Sequence, residues 1–218
     1  MMFNLPKKVT IIEVGPRDGL QNEKLLVPTD IKKQFIASLR SAGLKEMELT
    51  SFVSPKWVPQ MGDAAEITAN CLDEKTRNIV LAPNRRGVDR VYSTECQAVA
   101  VFVGVSNSFN LKNINKTTRD SMAELRPIIR ELKDKNYFVR ACISTAFYCP
   151  YEGKIGEKNT LELCREFVLA GVDELSVADT IGMAAPNESF SLFSQLKAEF
   201  PEILITAHFH DTRKLALA

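Results

Sequence analysis

The two histidines of the chain, His208 and His210, are separated by one residue near the end of the sequence. On a β-strand, residues i and i+2 point to the same side, so both imidazoles are predicted to face one space while Phe209 faces the opposite layer. Two imidazoles that converge at a strand end are typical ligands of a divalent metal. A pair of half-exposed histidines without a metal is the alternative, because His-x-His pairs also arise by chance.

A carboxylate that could complete this ligand set lies near the other end of the chain. Arg17 and Asp18 follow a β-branched run, Val9–Val14, which Gly15 and Pro16 end. At the carboxyl end of a barrel strand, Asp18 would add one carboxylate to the two imidazoles, a mixed set that suits Mg²⁺ or Mn²⁺. Arg17 could then hold an oxygen on which negative charge develops. A surface ion pair within a turn is the alternative interpretation of this dipeptide.

Two further acidic residues follow predicted strands. Glu48 lies near the end of the second strand, and Asp179 follows the sixth strand, directly before Thr180. Metal-assisted acid/base chemistry needs carboxylates at several strand ends. Each residue could instead belong to a turn or a helix cap, and the Asp179–Thr180 pair is typical of a local cap.

These residues need a scaffold in which strands and helices alternate. The apolar and β-branched runs predict seven strands: Val9–Val14, Met47–Leu49, Asn78–Ala82, Ala98–Val103, Phe138–Ile143, Glu174–Ala178 and Ile203–Phe209. Helical stretches between them are clearest at Ser121–Lys135 and Thr160–Ala170. Strands that alternate with helices imply parallel β/α units.

The first helix is predicted in the most detail. Thr29 is expected to be its N-cap and Gly43 its end. Its apolar face is predicted to consist of Ile31, Phe35, Leu39 and Ala42. The segments Ala42–Leu49 and Ala170–Val177 share a glycine helix stop that leads through a short turn into a strand, which supports repeated β/α units.

An open doubly wound sheet is the competing architecture. It predicts a glycine-rich phosphate loop after the first strand, but Gly15–Glu23 carries charged side chains where such a loop needs bare backbone. The sequence therefore favours a (β/α)₈-type barrel with seven of its eight strands in this chain and its chemistry at the carboxyl ends of the strands. No linker-like segment interrupts residues 1–218, so a single catalytic domain is predicted.

Composition and charge argue against several classes of protein. The chain has 28 basic and 27 acidic side chains, a net charge of +1, which argues against a nucleic-acid or anionic-membrane partner. The longest apolar run, Ala98–Val105, is far shorter than the ~20 residues of a membrane span. With no leader-like segment at the start, a cytoplasmic protein is expected. Five cysteines without a Cys-x-x-Cys pair indicate reduced thiols.

Six segments, taken together, carry a family resemblance: Val14–Glu23, Thr50–Asp63, Lys112–Asn115, Cys149–Lys154, Asp179–Gly182 and His208–Thr212. In this order they resemble the 3-hydroxy-3-methylglutaryl-CoA lyase family over nearly the whole chain. The tract Thr50–Asp63 is the most specific. Related metal-dependent barrels, such as isopropylmalate and homocitrate synthases, share the Arg-Asp and His-x-His elements but not this tract.

The resemblance implies a metal-dependent retro-Claisen cleavage of 3-hydroxy-3-methylglutaryl-CoA into acetyl-CoA and acetoacetate, a reaction of leucine degradation and ketone body metabolism. It implies that Asp18, His208 and His210 bind the divalent metal, Mg²⁺ or Mn²⁺. Arg17 is implied to bind the substrate and to stabilise the enolate of the departing acetyl-CoA.

Four further positions follow from the same resemblance. Glu48 and Asp179 match acidic family positions around the substrate and metal, and are implied to be catalytic. Gln21 and Asn113, the latter within Lys112–Asn115, are implied to contact the substrate or its CoA part. The expected small-molecule partner is thus an acyl-CoA. A homodimer is a separate expectation, which does not follow from the resemblance.

The sequence also departs from the family pattern. The fifth strand reads Arg140-Ala141-Cys142 where the family commonly has Arg-Gly-Tyr. The family's eighth strand, an asparagine metal ligand and a loop with a catalytic cysteine are missing by Ala218. We therefore expect an incomplete barrel with impaired cleavage and open strand edges. A related Claisen synthase or aldolase, and a non-catalytic remnant, are the alternatives.

Overall fold

The computed structural model describes residues 7–217, which fall into two compact units. The first unit consists of the described part of Met1–Ala82 together with Arg86–Ala98. The second consists of Pro83–Arg85 and the described part of Val99–Ala218. No helix within residues 7–217 is long and apolar enough to cross a bilayer.

The first unit contains three parallel strands, which are neighbours in the order β1-β2-β3. Its elements are β1 (Ile12–Glu13), a π-helical turn (Gly15–Gly19), α1 (Thr29–Ser41), β2 (Glu46–Ser51), a 3₁₀ turn (Pro59–Met61), α2 (Ala64–Cys71), β3 (Arg77–Leu81) and most of α3 (Arg85–Val91).

The second unit contains the remaining four strands of the predicted set. Its elements are most of β4 (Ala98–Gly104), α4 (Asn107–Ile114), α5 (Thr118–Asp134), β5 (Phe138–Ser144), β6 (Tyr148–Cys149), β7 (Gly153–Lys154), α6 (Glu157–Ala170), β8 (Glu174–Asp179), α7 (Pro186–Glu199) and β9 (Leu204–Phe209). Strands β4, β5, β8 and β9 are neighbours in that order, and β5–β8 and β8–β9 are parallel pairs. The antiparallel β6–β7 hairpin was not predicted.

Helix α1 buries a different face from the predicted one. Ile36 and Lys32 are buried, whereas Ile31 is 50% exposed and Phe35 lies at the surface. Lys32 can be buried because its ammonium donates to the carboxylate of Asp63 at 2.9 and 3.0 Å, so its charge is paired. The helix therefore turns its Lys32–Ile36 stripe inward. Of the predicted apolar face, Leu39 packs against the core, whereas the prediction is wrong for Ile31, Phe35 and Ala42, which are exposed.

The beginning of α1 also differs from the prediction. The helix starts at Thr29 with Pro28 in the N-cap position, and the Thr29 hydroxyl donates to Asp63 Oδ2 at 2.9 Å instead of capping the helix. The end of the helix agrees with the prediction. Gly43 has a φ of 94°, in the left-handed region that a glycine adopts without strain, and Gly171 ends α6 in the same way with a φ of 104°.

Strand β1 is shorter than the run Val9–Val14 that predicted it. Only Ile12 and Glu13 pair with β2, and Val9 and Ile11 are 68% and 65% exposed. A run of β-branched residues indicates a preference for extended backbone, but strand pairing also requires a neighbouring strand of matching length. The other six predicted strands agree with the observed elements to within a few residues.

Candidate functional site

The first unit presents Arg17 and Asp18 on a π-helical turn at the carboxyl end of β1. The Val14 carbonyl accepts from the backbone N–H of Arg17 at 3.1 Å and from that of Asp18 at 2.6 Å. Gly15 N donates to a Glu13 carboxylate oxygen at 2.6 Å, and a Cβ at Gly15 would lie 2.8 Å from the same oxygen and displace it. Single π turns are rare and occur often at functional sites.

Two carboxylates hold the Arg17 guanidinium in place. Its Nε donates to Glu48 Oε2 at 2.6 Å, and an N–H of the same guanidinium donates to Asp18 Oδ1 at 2.5 Å. Arg17 is 7% exposed and Glu48 1% exposed. Burying such a pair costs desolvation energy, so an ion pair of this kind stabilises little but fixes the position of a charge.

An irregularity in β2 accompanies Glu48. The register of the β2–β3 pair shifts between Glu48 and Thr50, so that Glu48 lies opposite Ile79 while Thr50 lies opposite Val80. Such a bulge re-aims side chains and is common beside active sites. Glu48 thereby contacts Arg17 while the next residue, Leu49, packs in the apolar core of the unit.

In the second unit, His208 and His210 lie side by side as the strand geometry predicts. Their rings are 5.4 Å apart between centroids and 24° from parallel. Phe209 points to the other side of β9, where its ring packs edge-on against Phe147 at 5.9 Å and Phe193 at 5.8 Å. This aromatic packing anchors the strand, so both imidazoles project from the same face.

Asp179 ends β8, next to the strand that carries the histidines. Its carboxylate accepts from the backbone N–H of Met183 at 3.0 Å and from that of Ala184 at 2.8 Å, while its carbonyl accepts from His210 N at 3.2 Å. The side chain is buried. Asp179 therefore orders the loop before α7, which agrees with the cap-like alternative, and each carboxylate oxygen keeps a lone pair for another donor.

Thr145, which follows β5, was not predicted from the sequence as a functional residue. This buried residue has a φ of 54°, which is strained for a β-branched side chain. Its N–H donates to the Thr180 hydroxyl at 2.8 Å, and its own hydroxyl accepts from Ser106 N at 3.2 Å. Thr145 thus ties together the loops that follow β4 and β8. Only its place at a strand end could have suggested this role.

Gln21 lines a cavity of about 380 Å³ in the first unit, bounded by residues 21–24, Leu26 and 57–60. Gln60, another residue that the sequence did not single out, shapes this cavity. Its side-chain amide accepts from Val27 N at 2.9 Å and donates to the Leu25 carbonyl at 3.1 Å. The loop after the π-helical turn is therefore held by a buried amide.

Asn113 lies at the exposed surface of α4, where its amide donates to the Phe109 carbonyl at 2.9 Å. The neighbouring Lys112 places its ammonium 3.7 Å from the centre of the Tyr151 ring.

The structure thus groups the predicted site residues in two sets. Arg17, Asp18 and Glu48 contact one another in the first unit. In the second unit the imidazoles of His208 and His210 lie side by side at the end of β9, with Asp179 at the end of the adjacent strand. The first set offers a fixed positive charge and a carboxylate, and the second offers two imidazoles. Both kinds of group take part in metal-assisted acid/base chemistry.

Comparison with known proteins gives a consistent result. The HMGL-like family matches residues 8–218 of this chain. The cytoplasmic 3-hydroxy-3-methylglutaryl-CoA lyase of Rattus norvegicus is 41% identical over 218 residues, which are 100% of this chain and 64% of that protein. The chain therefore spans somewhat less than two thirds of the length of this relative.

Solved structures agree. The hydroxymethylglutaryl-CoA lyase of Pseudomonas aeruginosa matches with a TM-score of 0.94 and 38% identity, covering 99% of this chain and 72% of that one. An HMG-CoA lyase from Acenitobacter baumannii, in complex with coenzyme A and 3-methylmalate, matches with a TM-score of 0.90 and 34% identity, covering 94% of this chain and 68% of that one. These similarities confirm the predicted fold class, an α/β fold of the TIM-barrel type with seven strands in this chain.

Proposed function

Because the chain belongs to the HMGL-like family, we propose that it cleaves 3-hydroxy-3-methylglutaryl-CoA into acetyl-CoA and acetoacetate with the help of a divalent cation. The observation that carries the proposal is the Arg17 guanidinium, which Glu48 and Asp18 hold at the carboxyl end of β1. The acyl-CoA substrate class is supported by the similar lyase that was solved in complex with coenzyme A.

We propose Asp18, His208 and His210 as the ligands of the cation. Each offers one ligand atom, a carboxylate oxygen or an imidazole nitrogen, and this mixed set suits Mg²⁺ or Mn²⁺. The stacked arrangement of the imidazole of His208, on β9, and that of His210, directly after it, supports a shared ion. When bound, such an ion supplies a Lewis acid that favours ionisation of the tertiary hydroxyl of the substrate.

Arg17 supplies the electrostatic part of the reaction. Removing the hydroxyl proton lets the bond between carbons 2 and 3 of the acyl chain break, and its electron pair moves onto the thioester carbonyl as an enolate. A fixed positive charge stabilises that enolate oxygen without having to reorganise during the reaction. Glu48 serves this step indirectly, because it holds the guanidinium in one orientation.

We assign the proton transfer to Asp179, a buried carboxylate whose position two backbone N–H groups fix. It would take the proton of the tertiary hydroxyl as a general base and, once protonated, would return this proton to carbon 2 of the enolate, which completes acetyl-CoA. Gln21 and Asn113 are proposed to bind the substrate through their amides, Gln21 from the wall of its cavity and Asn113 from the surface of α4.

The central experiment is to incubate the purified chain with 3-hydroxy-3-methylglutaryl-CoA and Mg²⁺ or Mn²⁺ and to measure acetoacetate and acetyl-CoA. We expect both products in equal amounts and no turnover with a chelator present. Condensation of acetyl-CoA with a 2-oxo acid, without cleavage, would replace the proposal by that of a Claisen synthase. Neither reaction, despite cation binding, would refute it.

The cation ligands can be tested without turnover. We expect His208→Ala and Asp18→Ala to weaken Mn²⁺ binding in calorimetry by more than the ~10–100-fold that loss of an outer-shell partner costs. Cys149→Ser is the matched control. It should leave the Mn²⁺ affinity unchanged, because Cys149 is not a proposed ligand and its thiol contacts the Ser106 hydroxyl instead. Unchanged Mn²⁺ affinity in the ligand variants would refute the assignment.

Two predictions concern the setting of the protein. We propose the cytoplasm as its place of action, supported by the name of the rat relative. A homodimer stays a prediction, which sedimentation of the purified chain would test.

A further inference from the structure

The turn between β6 and β7 contacts the amino-terminal half of α4. Ser106 is the N-cap of this helix, since its hydroxyl accepts from Phe109 N at 3.1 Å, and the Cys149 thiol lies 3.0 Å from the same hydroxyl. In the first turn of α4, Glu152 Oε1 accepts from Ser108 N at 2.7 Å. The carboxylate therefore sits at the positive end of the helix dipole, where it is stabilised.

The same turn also contacts the last turn of α4. Tyr151 is 50% exposed, and its ring lies against the Lys112 ammonium at 3.7 Å. A lysine at the surface otherwise samples many side-chain conformations, because its four-carbon stem is flexible. The negative face of an aromatic ring attracts a cation and so favours one of these conformations.

The cleavage chemistry described above assigns no role to Lys112, Tyr151 or Glu152. The turn is exposed, and an exposed cation–aromatic pair adds little to folding stability. What the pair does determine is the place of a positive charge beside Asn113, a residue to which the proposed function assigns substrate contact. The part of an acyl-CoA that calls for a positive charge is its nucleotide, which carries phosphate groups.

We propose that Tyr151 is a positioning residue that holds Lys112 ready for a phosphate group of the CoA nucleotide. The inference rests on the proposed function, because it takes a CoA thioester as the substrate. Glu152 contributes by keeping the turn against the helix. Tyr151 itself touches no reacting atom, so its removal should affect the binding of CoA and not the cleavage step.

The test measures the affinity for coenzyme A itself by calorimetry, without turnover. We expect Tyr151→Leu to weaken binding by about 2- to 5-fold, the loss that corresponds to an exposed cation–aromatic contact. Tyr151→Phe keeps the ring face and should bind as the wild type does. Lys112→Met should weaken binding by ~10-fold or more, because it removes a charge-assisted contact to phosphate.

A double variant separates positioning from a merely structural role. In the Lys112→Met background, Tyr151→Leu should cause no further loss of CoA affinity, since the ring acts only through the ammonium. In the cleavage assay, Tyr151→Leu should raise KM for the CoA thioester with kcat unchanged, and should leave KM for the matching pantetheine thioester, which lacks the nucleotide, unaltered. Should Tyr151→Leu not fold, Tyr151→Thr replaces it in every comparison.

Three results would overturn the inference while leaving the proposed function intact. They are full CoA affinity in Tyr151→Leu, an equal loss in Tyr151→Phe, and a loss that persists in the Lys112→Met background. If the unsubstituted chain binds no CoA and cleaves no thioester, the proposed function fails as well. That failure is recognisable because it occurs before any substitution is made.

Discussion

Replacing Arg17 by glutamine removes the fixed positive charge at the end of β1 and leaves an uncharged amide in its place. Arg17 is 7% exposed, and its guanidinium donates to Glu48 at 2.6 Å and to Asp18 at 2.5 Å. A preorganised donor of this kind typically contributes ~10²–10³ in kcat, which equals ~2.7–4 kcal/mol of transition-state stabilisation. Since enolate charge exists only once the carbon–carbon bond is breaking, the loss should fall on kcat.

The assay is steady-state cleavage of 3-hydroxy-3-methylglutaryl-CoA at saturating Mg²⁺, with kcat and KM determined separately. Arg17→Gln should lower kcat by ~10²–10³ with a smaller change in KM. Arg17→Lys, which keeps the charge but cannot donate to two oxygens in a fixed plane, should lie between that variant and the wild type. Arg77→Gln is the control, since its ion pair with Glu46 at 3.1 Å is partly exposed and contributes only ~0.2–1 kcal/mol to stability.

A rise in KM with kcat unchanged would refute this reasoning and make Arg17 a residue that binds substrate and transition state equally. Thermal unfolding of each variant supplies the remaining check. If Arg17→Gln no longer unfolds cooperatively, its loss of activity reflects folding, and Arg17→Lys then decides the question.

Three more predictions concern stability and reactivity. The Ser108 backbone N–H holds the pKa of Glu152 below its ordinary value. The contact therefore stabilises the folded state fully above pH 4.5, and this stabilisation is lost as the pH falls through the lowered pKa. Urea unfolding between about pH 3 and 6 should show that the free energy of unfolding falls more steeply with acid in the wild type than in Glu152→Gln. Burial raises the pKa of Cys164 to about 12, so the reactive thiolate is scarce at pH ~8. After treatment with iodoacetamide at this pH, mass spectrometry should find the thiol unmodified in the folded chain and modified in the unfolded one. Gly15→Ala should lower the melting temperature, at a cost of ~0.5–1.5 kcal/mol in the free energy of unfolding, because the new Cβ would displace the Glu13 carboxylate, which then loses its hydrogen bond from Gly15 N.

Several features of the fold and site could be predicted because they depend on neighbours in sequence. Alternating strands and helices follow from hydrophobic periodicity, and Gly43 and Gly171 end helices because glycine adopts positive φ without strain. The shared face of His208 and His210 is likewise a property of any extended strand.

Other features depend on residues that are distant in sequence. The burial of Lys32 requires the Asp63 carboxylate, which lies 31 residues away, and no local pattern in α1 announces that partner. The strained backbone of Thr145 is tolerated because its hydrogen bonds with two other loops, one donated and one accepted, hold it.

The sequence alone thus determined the alternating architecture, the family and the types of side chain available for chemistry. Only the tertiary structure decided that Glu48 holds Arg17 and that Tyr151 covers Lys112. The physical reason is that local conformation follows from backbone sterics within a few residues. The pairing of buried or clustered charges depends on strand register, on a β-bulge and on which loops meet, and these are settled only when the whole chain packs.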